Sequence, residues 1–163
     1  MTAHTSQSIR DFDARGMQAA IQEARDGLLE GGIPIGSALL DGSGKLLGRG
    51  HNRRVQLKSP ILHGEMDCLQ AAGRRRSYRD CTIYSTLMPC YMCAGTIVQF
   101  KIPRVVVGES RSFAGAREFL ESHGVEVIDL DAGECVDMMQ AFIRDRPELW
   151  HEDIAHEDES SGA

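Results

Sequence analysis

A chain of 163 residues with ordinary apolar and charged content amounts to about one domain, long enough to bury a core. Its formal charge of −6 argues against broad polynucleotide binding, which needs a basic face to neutralise phosphates, so no stable nucleic-acid partner is expected. Met1 to Ser8 lacks an apolar core and no run approaches the roughly 20 apolar residues that cross a bilayer, so a cytoplasmic protein without a membrane partner is expected.

Residues 1–9 are polar and read as a disordered N-terminus, 10–154 as one domain and 155–163 as a disordered acidic tail. Phe12, Met17, Ile21, Ala24 and Leu28 recur at helical spacing, and Gly31-Gly32 ends that helix. Ile33–Leu40, the turn Asp41-Gly42-Ser43-Gly44 and Lys45–His51 read as a β-hairpin. Asn52–Pro60 reads as a polar loop that delivers the chain to His63, after which a helix runs to Gly73. The run Arg74-Arg75-Arg76 fits a solvated helix end, where cations complement the dipole. Thr82–Leu87 has strand composition, and Pro89 is expected in the first turn of a helix reaching about Lys101. Then come a strand at Arg104–Gly108, a helix at Ala116–His123, a strand at Val125–Leu130 and a helix from Ala132 to Arg144, with Pro147 beyond it. Strands alternating with helices after an opening hairpin predict a three-layer α/β/α domain around a five-stranded mixed sheet.

The chemistry concentrates between His63-Gly64-Glu65 and Pro89-Cys90-Tyr91-Met92-Cys93. On a helix Cys90 and Cys93 share one side, so both sulfurs can reach one ion, with His63 adding a nitrogen from the neighbouring helix N-terminus. Three protein ligands leave a fourth zinc position open for water. Two thiolates cancel the charge of the ion, so water acidification is less complete than at a three-histidine site and a nearby base is required; Glu65, two residues from His63, suits that proton shuttle. A closed site with Cys68 or Cys81 as fourth ligand, or a redox C-x-x-C, would use the cysteines but leave Glu65 without a catalytic task. The five cysteines otherwise disfavour a disulfide framework.

Those residues identify a resemblance to the cytidine deaminase-like superfamily. Gly31-Gly32-Ile33-Pro34-Ile35-Gly36, Gly48-Arg49-Gly50-His51-Asn52, Ile102-Pro103-Arg104, Val107-Gly108-Glu109 and Arg146-Pro147 with Trp150, Glu152, Asp153 and Ile154 extend it to the fungal cytosine deaminases over about residues 10–154. The resemblance implies a homodimer with one Zn2+ per subunit and a small-molecule nucleobase as substrate. It implies zinc on His63, Cys90 and Cys93, proton transfer by Glu65, base contacts from Asn52, Asp153 and the Gly64 backbone N–H, and flat-ring walls from Ile35, Phe113 and Trp150. The expected reaction replaces an amino group by a carbonyl, cytosine giving uracil and ammonia. Guanine, isocytosine or a modified pyrimidine are alternative bases; a tRNA adenosine deaminase and a non-catalytic zinc module are more distant readings. Met88 and Tyr91 depart from the fungal Ser and Asp at those places.

Overall fold

The computed structural model describes residues 9–156. Most of the two expected disordered ends therefore lies outside the described residues; of those ends only Ile9, Ala155 and His156 are described, and the His156 N–H closes a turn onto the His151 carbonyl at 2.9 Å.

Helix α1 (Asp13–Leu29) precedes the hairpin β1 (Gly36–Leu40) and β2 (Leu46–His51). A short helix α2 (Arg54–Leu57) leads to α3 (Gly64–Ala72), β3 (Thr82–Leu87), α4 (Tyr91–Gln99) and β4 (Arg104–Glu109). The chain ends through α5 (Arg117–Ser122), β5 (Glu126–Asp129), α6 (Gly133–Asp145) and α7 (Pro147–Asp153). The sheet order is β2-β1-β3-β4-β5, with β1 antiparallel to both neighbours and β3, β4 and β5 parallel, which is the expected mixed sheet.

Alternation along the strands feeds two cores. Ala38, Leu40, Tyr84, Val106 and Ile128 face α1 and α6, while Leu39, Ile83, Val105, Val107 and Val127 face α3, α4 and α5. Gly36 lets α1 approach closely, because a Cβ there would strike the Ala20 carbonyl and the Ala24 backbone nitrogen. A third apolar cluster, built from Ile33, Ile35, Leu87, Met139, Phe142 and Trp150, joins α6 and α7 to the ends of β1 and β3.

Two local expectations need correction. The 52–60 loop contains α2, whose N-cap residue is Arg53 and whose first N–H, at Arg54, donates to the Asn52 side-chain oxygen at 3.0 Å. Pro89 lies outside α4 rather than in its first turn, since Cys90 is the N-cap residue with extended backbone.

At the opposite end of the sheet, Asp13 accepts two hydrogen bonds from the Arg104 guanidinium, at 2.7 and 2.6 Å, and one from the Tyr84 hydroxyl at 2.6 Å. All three side chains are buried, so α1 is pinned to β3 and β4 through charge inside the protein. Burial raises the Asp13 carboxyl pKa, but the bonds from Arg104 and Tyr84 outweigh it and hold the value below the ordinary one. The associated stability is present above the unfolded carboxylate value and fades as pH falls through the lowered one. Asp13→Asn should cost about 3–5 kcal/mol, because Arg104 loses its doubly bonded counter-ion and is left with the longer 3.6 Å approach to Glu126. Urea unfolding at neutral pH checks this, and a midpoint equal to that of the parent would contradict it.

Candidate active site

Two helix N-termini meet beyond the end of the central strand β3. His63 caps α3 and Cys90 caps α4, both with extended backbone, and Cys93 lies in the first turn of α4. The Nδ1 of His63 is 3.4 Å from the Cys90 sulfur and 3.8 Å from that of Cys93, and the three ligand atoms all lie within 4.8 Å of one another. One imidazole nitrogen and two sulfurs converging on one point form a donor set that suits zinc. Cys68 and Cys81 do not join the cluster: Cys68 is fully buried with its sulfur 3.4 Å from the Gly48 carbonyl, and Cys81 lies beside Asp80.

Glu65, in the first turn of α3, is buried and fixed from β3. The Ser85 hydroxyl is 2.6 Å from its Oε1 and 2.7 Å from the Leu87 carbonyl, and its single proton serves one of them at a time. The other face of His63 is also occupied, with Nε2 3.5 Å from Asp153 Oδ1.

Above these groups lies a small, tightly lined cavity. Of the residues singled out by sequence, Ile35, His63, Glu65, Cys90, Phe113, Trp150 and Asp153 line it. Phe113 and Trp150 meet edge to face at 5.8 Å, forming an aromatic corner. Asn52, Gly64 and Cys93 do not line the cavity. Asn52 is fully buried behind it, donating Nδ2–H to Asp153 at 2.8 Å, and Gly64 packs on the Ile35 carbonyl. A larger hollow beside α3 and α4, bordered by Ile61, Arg74, Tyr78 and Phe100, is open and lies away from this chemistry; donor geometry rather than size picks the site.

Sequence reasoning missed Ser85 and Arg54. Ser85 resembles any strand serine, and Arg54 sits in what reads as loop. Its Nε–H donates to the Pro60 carbonyl at 2.9 Å, and its two terminal nitrogens stand 3.6 Å from Glu152 and Asp153, clasping α7 over the cavity.

The sequence profile of the cytidine and deoxycytidylate deaminase zinc-binding region matches residues 10–109. The chain belongs to this family. Among relatives, it is 48% identical to a cytosine deaminase of Candida albicans over 144 residues, covering 87% of this chain and 96% of that one. It is 36% identical to a tRNA-specific adenosine deaminase of Streptococcus pyogenes over 78% of this chain and 87% of that one. In three dimensions it resembles a tRNA:A34 deaminase (TM-score 0.69, 26% identity, 77% of this chain and 99% of the other). It shares the fold of a guanine deaminase from Nitrosomonas europaea (TM-score 0.64, 20% identity, 82% and 83% covered).

As a deaminase of this zinc-dependent family, the protein needs its ligands deprotonated to hold the metal. The Cys93 thiol, with help from His63 and against burial, holds Cys90 down to about 4. Donation to Cys90, together with burial, pushes Cys93 well above its usual range. For His63, burial alone would lower the pKa, but the Cys90 sulfur, Asp153 and Glu65 outweigh it and push it up to about 9. At pH 7 the metal-free protein therefore holds one thiolate, one thiol and one imidazolium. Zinc loading should displace about two protons, from Cys93 and His63. Binding heats measured in buffers of different protonation enthalpy give that number directly, and a value near zero would contradict the assignment.

Proposed function

We propose that the protein hydrolyses a free nucleobase, with cytosine giving uracil and ammonia, and that the site residues take the roles their positions suggest. The observation that carries this reading is the small cavity in which a buried carboxylate, a zinc donor set and an aromatic corner converge under a C-terminal helix. The identity shared with the Candida albicans enzyme along nearly its whole length supports cytosine as the base. The same cavity, capped by α7, leaves little room for a ribose or a polynucleotide, and the acidic chain has no general attraction for one.

His63, Cys90 and Cys93 would hold the zinc, and what a bound zinc supplies is Lewis-acid activation of the attacking water. Glu65 takes the proton released as water adds to the amino-bearing ring carbon and passes it to the adjacent ring nitrogen; it then takes the hydroxyl proton of the adduct and delivers it to the amine as the C–N bond breaks and the carbonyl forms. Ser85 fixes one oxygen of Glu65, so the carboxylate acts from a defined place. Asp153 accepts a hydrogen bond from the amino group of the base. Its own carboxyl is raised first by burial, against the opposing pull of His63, Asn52 and Arg54. Asn52 has both side-chain atoms engaged, with Asp153 and with the Arg54 N–H, so a base reaching its amide exchanges one of these bonds. Ile35, Phe113 and Trp150 sandwich the ring, and the Gly64 N–H at the start of α3 offers a further donor. The helix carrying Trp150 and Asp153 acts as a lid that excludes bulk water.

The domain assignment 10–154, the homodimer and a cytoplasmic place in pyrimidine salvage belong to the same reading. A second copy is supported by exposed apolar side chains beside α3 and α4, Ile61 at 54% exposure and Phe100 at 52%, which border one hollow. No helix among the described residues is long and apolar enough to cross a membrane.

Glu65→Gln should keep zinc and lose about 100- to 10,000-fold in turnover, because the amide preserves shape but moves no proton. Near-normal ammonia release from a zinc-loaded variant would remove Glu65 from the role. Across a panel of cytosine, cytidine, guanine, isocytosine and an adenosine-bearing tRNA hairpin, ammonia should come from cytosine with cytidine about 100-fold slower or worse, a discrimination of the size that excluding a group from a fitted site provides. Comparable turnover of cytidine would overturn the free-base preference.

A further inference from the structure

Glu109 ends β4 with its side chain fully buried, and no step above uses it. Its Oε2 accepts the Ser112 backbone N–H at 2.9 Å, while its Oε1 has no hydrogen-bond partner among the described residues. A buried carboxylate held by a single bond is a costly choice for a structural filler. What the charge provides is a charge-assisted bond to one N–H, stronger than a neutral acceptor would make.

Ser112 is gripped from a second direction. Gln140 of α6 donates Nε2–H to its hydroxyl at 3.0 Å. The next residue is Phe113, whose ring lines the cavity and meets Trp150 of α7 at an interplanar angle of 88°. Beyond it the loop is tied again. Gly115 has φ +61 and packs where a Cβ would strike Met88 and the Pro89 carbonyl, and the Ala116 N–H bonds that carbonyl at 2.9 Å. The loop between β4 and α5 thus has a fixed far end; its first two residues are held from the β5 side, Ser110 by Asp129 and Arg111 by Asp131, and Ser112, the residue next to Phe113, is held by Glu109 and Gln140.

We propose that Glu109, acting with Gln140 through Ser112, is a positioning residue that fixes the Phe113–Trp150 corner and so sets how tightly the cavity grips a flat base. The consequence for catalysis rests on the free-base reading above, whereas the placement of the corner does not.

Trp150 is the one tryptophan in the chain, so its emission and its quenching by acrylamide report the corner without any substrate. The zinc-loaded full-length protein is compared with Glu109→Gln, which keeps the shape but loses the charge, and with Gln140→Ala, a half-buried helix position whose change leaves the core intact. Loss of one such bond should raise the Trp150 quenching constant by about twofold and KM for cytosine by about fivefold to tenfold, with kcat within about twofold of the parent and zinc content unchanged. Unchanged quenching in both variants overturns the proposal, and so does a loss that falls on kcat with KM unmoved. If Glu109→Gln fails to fold, Gln140→Ala decides by the same measurements. A parent that releases ammonia from no base, while quenching rises in the variants, would overturn the free-base reading and leave the placement of the corner standing.

Discussion

An imidazole and two sulfurs gathered at a half-buried point of a protein repel the low-dielectric surroundings unless something compensates their charge, and the architecture around His63, Cys90 and Cys93 supplies that compensation. The two helix N-termini are the first part of it. Both α3 and α4 begin at a ligand residue, so the unpaired N–H groups of their first turns face the thiolates and favour negative charge. The sheet order makes the meeting possible: β1 and β3 are adjacent and antiparallel, and the helices that follow β2 and β3 lie side by side on one face. Moving either helix by one turn, about 5.4 Å, would separate donors that need to lie within one coordination sphere.

That constraint explains why the rest of the site comes from so many elements. Glu65 sits next to the donor cluster by occupying the first turn of the helix that begins at His63. A buried carboxylate in turn needs a donor, and Ser85 on the strand beneath provides it. The cavity then has to be closed from above by elements that come from far along the chain. Asp153 is tied to Asn52, Arg54 and His63, so α7 is fastened by polar contacts at its end, while Trp150 fastens it through apolar packing against Ile35 and Phe142. These contacts lie outside the two cores that flank the sheet.

How much of this was legible in the sequence follows from the range of each interaction. The strand and helix alternation was readable because each element carries its own periodicity, and the metal set because H-x-E and C-x-x-C are local patterns with fixed ligand spacing. Long-range polar pairs leave no such trace. Asp13 and Arg104 are 91 positions apart and Asn52 and Asp153 are 101 apart, and each alone looks like a capping or surface residue. Helix α7 was missed as an element because seven residues give barely two turns, too few for a period to emerge, although Pro147 at its first position is a start signal. Helix α2 was missed for the same reason, its clearest mark being the Asn52 side-chain bond to the Arg54 N–H.

The two departures from the fungal pattern separate on the same physical grounds. Tyr91 is 76% exposed at the first position of α4 and does not line the cavity, so its ring belongs to the outer surface, where it borders a hollow with Ser110, Ala114 and Arg117. Met88 is 1% exposed and does line it, packed between the aromatic loop and the strand end that precedes Cys90. Replacing a small hydroxyl with a long thioether at that wall removes a hydrogen-bond partner and adds apolar volume. Of these two positions Met88 is therefore the one placed against whatever fills the cavity, whereas Tyr91 alters what the outside of α4 can meet.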